Sequence, residues 1–215
     1  MKYDETGLPE KVKAYLEEIY NDEGLSDAFF DCDVEILDEA CITDMEDDCS
    51  WLDDLMGPSQ SRESFYEDIK PFAMDGTGAV WVILNDELVG YIGTEGECGI
   101  VARNIDEFMN IIAYGRYFSD YSIEHLKSEE YFISSYTEPE DDEHREVFDR
   151  FIEKHGFTKD PHKLYEMIIA GLTVKPFFEF RSTDDDYCDS YSILGSDDGQ
   201  EALEKLIDLL KIDKK

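Results

Sequence analysis

PFAMDGTGAVWVILNDELVGYIGTEGECGIVARNIDEFMNIIAYG, residues 71–115, decides how this chain folds. Within it, Ala79 to Leu84, Leu88 to Gly93 and Cys98 to Ala102 are short runs rich in Val, Ile, Trp and Tyr, parted by Asn85-Asp86-Glu87 and Glu95-Gly96-Glu97. β-Branched and aromatic side chains suit a pleated, partly buried surface, and turn formers between them reverse the chain, so the stretch predicts an antiparallel meander. A helix is predicted directly after it. Asn104 can cap that helix, Glu107 three residues on can reach back to the cap, and Ile105, Phe108, Met109, Ile111 and Ile112 form one apolar stripe. Gly115 is the predicted stop. Asp75-Gly76-Thr77-Gly78 reads as a tight turn; no lysine follows to make it a phosphate cradle.

PFAMDGTG, a Trp-bearing strand, TEGECGIVA and NIDEFMNII, in this order, resemble the core of the SUKH superfamily, and Leu8-Pro9 before a helix resembles the start of its domains. That superfamily includes many bacterial toxin-immunity proteins and the yeast regulators of cell-wall glucan synthesis. The resemblance spans roughly residues 8–115. It implies an α+β fold, an antiparallel central sheet with helices packed around it, and a role in engaging another protein. Its motifs belong to the fold and none is catalytic.

Toward the N-terminus, Val12, Tyr15, Leu16, Ile19 and Tyr20 recur at helical spacing behind Pro9, a residue suited to the first helical position. Val34 to Leu37 reads as a short strand, and a helix is expected from Thr43, with Glu46 as its capping partner, to about Met56 before Gly57-Pro58. Phe65 to Phe72 leads into the meander. From Ala14 to Ser61 there are sixteen Asp and Glu and no Lys or Arg, so no ion pair can form within the stretch. The expected helix exposes Asp47, Asp48, Asp53 and Asp54 beside Trp51. Such a run is either a solvated helix face or a docking surface for a basic partner, and Trp51 is either core or contact residue. On the docking reading, Asp47, Asp48, Trp51, Asp53 and Asp54 are the candidate partner-binding residues.

Beyond Gly115, helical pieces are expected from Ser122 through Lys127 and around Tyr131 to Tyr136, with Tyr114, Tyr117, Phe118 and Tyr121 covering the sheet. Acidic, proline-interrupted Thr137 to Glu143 is a candidate linker. After it come a helix burying Val147, Phe148, Phe151 and Ile152, and another capped by Asp160-Pro161 and carrying Leu164, Tyr165, Ile168 and Leu172. Val174 to Arg181 and Tyr187 to Leu194 read as strands around Asp184-Asp185-Asp186, and Glu201 to Ile212 as a closing helix. The expected organisation is an α+β domain over 1–136, a linker over 137–143, and a helix-helix-strand-strand-helix α/β extension over 144–215. Whether the extension packs on the domain is left open by the sequence.

Composition narrows the function. With 54 acidic and 19 basic side chains the formal charge is −35, and residues 1–70 alone carry −17. A field of that sign repels nucleic acid and anionic membranes and steers cationic partners inward. No early basic-then-apolar run and no stretch of eighteen uncharged apolar residues occurs, so neither a signal peptide nor a membrane span is expected, and the location read is cytoplasmic. Cys32, Cys41, Cys49, Cys98 and Cys188 contain no C-x-x-C pair and the four histidines do not cluster beside them, so no zinc site, disulfide framework or cofactor is expected. No calcium-loop pattern appears either. Glu95 and Glu97 could pair for acid/base work, yet only Arg103 lies near them in sequence to tune them.

The reading is therefore of a non-enzymatic, acidic, cytoplasmic binding protein. With the resemblance it becomes an immunity protein that neutralises a basic toxin by occlusion. An intracellular scaffold or regulator of the glucan-synthesis type is the alternative, and a carboxylate-based hydrolase a distant third.

Overall fold

Two helices open the chain in the computed structural model, which describes residues 7–37, 62–66, 68–94, 96–116, 122–135, 143–182, 191–194 and 205–208. The first, α1 (Glu10–Asn21), buries Val12, Tyr15, Leu16 and Ile19, the stripe its periodicity predicts. Pro9 stands just before its first residue. The second, α2 (Glu23–Phe30), is missed by the sequence reading. Asp22 Oδ1 caps it by accepting the Leu25 N–H at 3.1 Å, and Leu25, Ala28 and Phe29 are its buried face. At eight residues with Gly24 inside, its periodicity is too short to stand out among the acids.

The strands are β1 (Glu35–Ile36), β2 (Arg62–Glu63), β3 (Ile69–Met74), β4 (Val80–Leu84), β5 (Leu88–Ile92), β6 (Glu97–Ala102), β7 (Arg181–Ser182) and β8 (Tyr191–Ser192). One sheet has the order β1-β3-β4-β5-β6-β8, with every neighbouring pair antiparallel except β6 and β8; β2 and β7 form a separate antiparallel ribbon. The predicted meander is β4-β5-β6. It gains β3, which Pro71 concealed. Pro71 lies opposite Val82 beside a register shift, and β1 pairs only with Ala73 and Met74, so in the described pairing the missing proline N–H falls where β3 has no outer neighbour. Between β4 and β5, Asn85 and Asp86 take φ of 50° and 62°, the positive values a primed hairpin turn requires.

All five β4 side chains are buried, which demands cover on both faces of the sheet. One face, with Trp81 and Ile83, joins a cluster of helix residues that includes Leu16, Phe29, Phe108 and Phe151. The other face, with Val80, Val82 and Leu84, is covered by Phe178, Phe180 and Tyr66. Gly90 makes this possible: a Cβ there would lie 2.9 Å from Leu84 Cδ1 and 3.1 Å from the Phe178 ring.

The helix after the meander, α3 (Ile105–Asn110), continues through a π-helical turn (Ile111–Gly115). Asn104 Oδ1 accepts the Glu107 N–H at 3.0 Å as predicted, but Glu107 reaches back to the Arg103 N–H at 3.1 Å and not to the N–H of the cap itself. Gly115 is still helical; the left-handed residue that ends the helix is Arg116, at φ 70°. Its guanidinium donates to the Ala113 carbonyl and lies 4.2 Å over the Phe148 ring, contacts that hold a non-glycine residue there.

Past α4 (Ile123–Leu126) and α5 (Glu129–Ser135), the helix expected to bury Phe148 and Phe151 and the helix expected after Asp160-Pro161 are present as α6 (Arg145–His155) and α7 (Pro161–Leu172). How they pack is now decided. Phe148, Phe151, Ile152, Leu164 and Ile168 enter the same cluster as Leu16, Phe29 and Phe108. Buried Asn110 ties them further, donating to the Thr158 carbonyl at 2.9 Å and accepting the Thr158 N–H at 3.0 Å. The expected strand pair around Asp184 is different in the described residues. Val174 to Phe180 is not strand, β7 pairs with β2, and β8 lies along β6. Phe178 and Phe180 are drawn to the sheet's second face, an apolar demand that a local hairpin would leave unmet.

Candidate partner-binding site

Asp47, Asp48, Trp51, Asp53 and Asp54 lie outside the described residues, as do Glu95 and residues 137–142 of the expected linker. The acid-rich segment that is described, α1 and α2, exposes Glu17, Asp22, Glu23, Asp27 and Asp31. Among them sits Phe30, 55% exposed, a large apolar side chain left in water at the end of α2. Its spacing gave no warning: Phe29 turns inward and Phe30 outward from adjacent positions.

Directly after Phe30 the chain enters a cavity of about 170 Å³ at one end of the sheet. Trp81 and Tyr91, opposite each other on β4 and β5 with ring centroids 4.8 Å apart, supply its aromatic surface. Asp33, Asp75 and Glu97 supply carboxylates, from the turn before β1, the end of β3 and the start of β6. Cys32 and Ile193 also line it, and none of the described lining residues is basic. Sequence reading singled out Trp81 only as a strand residue and Glu97 only as half of a catalytic pair. Register and chain reversal bring these six segments to one sheet end, and no local spacing signals that.

Each wall has a reason to be where it is. Trp81 Nε1 donates to the Asp33 carbonyl at 2.7 Å, which joins β4 to the chain leaving α2. Asp33 takes φ 60°, a conformation aspartate tolerates better than most residues. Asp75, 8% exposed, organises the predicted Asp75-Gly76-Thr77-Gly78 turn. Its Oδ1 accepts from Thr77 N–H at 2.8 Å, Thr77 Oγ1 at 2.7 Å and Ala79 N–H at 3.0 Å, while Oδ2 accepts from the Tyr91 hydroxyl at 2.7 Å. Glu97 folds over Gly93, where a Cβ would lie 2.1 Å from Glu97 Oε2. Burial first, then the hydrogen bond to Asp75 and the charges of Asp75, Glu97 and Asp33, push the Tyr91 phenol far above its ordinary range.

A second tyrosine–aspartate pair sits between α1 and α3. Tyr15 donates to Asp106 Oδ1 at 2.7 Å, and Lys11 forms an ion pair with Asp106 Oδ2. His155 Nε2 lies 3.0 Å from Glu18, and the Tyr15 and His155 rings are 4.9 Å apart. Burial, the hydrogen bond to Asp106 and the nearby acids raise the Tyr15 phenol too. Burial pushes Asp106 upward, but its bonds to Lys11 and Tyr15 outweigh that and hold the carboxyl below its usual range.

Asp31, Glu143 and His144, where α2 meets α6, form a group of possible metal ligands whose atoms lie within 4.8 Å of one another. His144 Nε2 is 2.7 Å from Asp31 and 3.8 Å from Glu143, and the shorter contact is a hydrogen bond between the end of α2 and the start of α6. Cys32 and Cys98 are buried. Among the described residues no helix is long and apolar enough to cross a membrane. Comparison with protein families, with curated proteins and with solved structures finds no match to the chain.

Proposed function

We propose that this is an acidic binding protein whose partner is a basic protein, most concretely an immunity protein that neutralises a basic toxin by covering it. The carrying observation is the charge: −35 overall, with sixteen acids and no Lys or Arg from Ala14 to Ser61. Carboxylates without local counter-charges raise the concentration of a cationic partner near the surface and speed encounter. Exposed Phe30 amid the acids of α2 supports the reading, because an aromatic contact adds residence once charge has brought the partner in. The words immunity and toxin rest on the SUKH resemblance alone.

The test is the association rate with the basic protein encoded beside this chain's gene, followed by stopped flow. Steering predicts about a tenfold fall between low and physiological ionic strength. A smaller fall follows once Asp47, Asp48, Asp53 and Asp54 are changed to Asn. A rate indifferent to salt would reject the reading.

A further inference from the structure

The two tyrosine–aspartate pairs are alike in their 2.7 Å hydrogen bonds and unlike in what completes them. Asp106 has the ammonium of Lys11 on its second oxygen. Asp75 is more deeply buried, and among the described residues no basic side chain reaches it. Its carboxyl group accepts four hydrogen bonds and, among the described residues, makes no ion pair. That group borders an open cavity that also holds two more acids and two aromatic rings.

The shape restricts the occupant. At about 170 Å³ the cavity is below the roughly 300–1,000 Å³ typical of sites for small organic ligands. It suits one long side chain entering end-on. The chemistry restricts it further, since a planar guanidinium can lie on an aromatic ring while its forked N–H groups reach several carboxylates; a compact, strongly hydrated ammonium does this less well. We propose that this cavity receives a single arginine side chain of the basic partner, its guanidinium against the Tyr91 ring and among the carboxylates of Asp33, Asp75 and Glu97. The inference rests on the reading of a basic partner and adds where that partner's anchor goes.

The full-length protein tests it with three capped tripeptides as probes: acetyl-Gly-Arg-Gly-amide, its lysine counterpart, and its citrulline counterpart, which keeps the shape and lacks the charge. The readout is the Trp81 indole N–H and the Tyr91 ring in NMR titrations. The arginine probe is expected to shift both saturably, the lysine probe more weakly and the citrulline probe not at all. Glu97→Gln and Asp33→Asn, which keep side-chain shape and the left-handed turn at Asp33, should each weaken the arginine probe about threefold to fivefold, as for a partly exposed charge pair. Equal shifts from citrulline, no shift at Trp81 and Tyr91, or unchanged affinity in both variants would overturn the assignment. A hexa-arginine peptide that binds in a salt-dependent way without moving those signals would overturn it too, while leaving the broader reading of a basic partner standing.

Discussion

The Tyr15–Asp106 and Tyr91–Asp75 pairs differ in one component, and the difference separates a joint from a receptor. At the first, Lys11 from α1 and Asp106 from α3 neutralise each other across a helix contact, so the group is complete within the fold. At the second, the carboxyl group is spent on a turn and on one phenol, and no basic side chain among the described residues pairs with it. A protein of charge −35 has few cations to distribute. Among the described residues one sits at the helix joint and none at the buried aspartate, which bears on which site looks outward.

The largest effect that can test this contrast is on folding. Asp75→Ala leaves two backbone N–H groups and two hydroxyls without their acceptor in a buried turn and should cost about 3 kcal/mol in urea unfolding, against about 1 kcal/mol for Asp106→Ala at its more exposed joint. Equal losses would mean that the two pairs are equivalent supports. Next, Tyr91→Phe should cost about 1–2 kcal/mol and Tyr15→Phe about 1 kcal/mol, since each removes one hydrogen bond to a charged acceptor but the first lies deeper.

Alkali provides a smaller and differently signed check. Both phenols are raised in the folded state, so their contribution is fully present below the ordinary tyrosine pKa of about 10 and is lost as pH rises above it. Stability should fall above about pH 10, and the fall should flatten in each Tyr→Phe variant. Absorbance of ionised tyrosine should show both phenols titrating after the exposed ones. Smallest of all is Lys11→Met, expected to cost about 0.5 kcal/mol or less because the pair is largely exposed. Asp106 is held below its usual range, so its contribution is present above the unfolded carboxylate value near pH 4 and is lost as pH falls through it. Lys11→Met should weaken that acid-side loss.

The shared core sharpens a different boundary. Phe148 comes from the expected extension and Phe29 from the expected N-terminal domain, yet their rings meet edge to face at 5.5 Å. Phe148→Ala should cost about 3–5 kcal/mol and lower the stability of both segments together. Separate transitions by circular dichroism and Trp fluorescence would contradict a common core.

By itself the sequence determined the elements whose signals are local. The meander, the Asn104 cap, the Asp75 turn, α1, α6 and α7 all follow from periodicity and capping chemistry within a few residues, where side-chain sterics and short hydrogen bonds act. Charge was equally legible, since it needs no geometry to count. Only the tertiary structure decided that Pro71 sits in a strand, that Phe178 and Phe180 leave a local hairpin to cover β4, and that α6 and α7 share the core of α1 and α2. It alone brought Asp33, Asp75, Trp81, Tyr91 and Glu97 to one sheet end. Each of these depends on pairing register and on apolar surface finding cover far away along the chain, and such long-range contacts leave no spacing in the sequence to read.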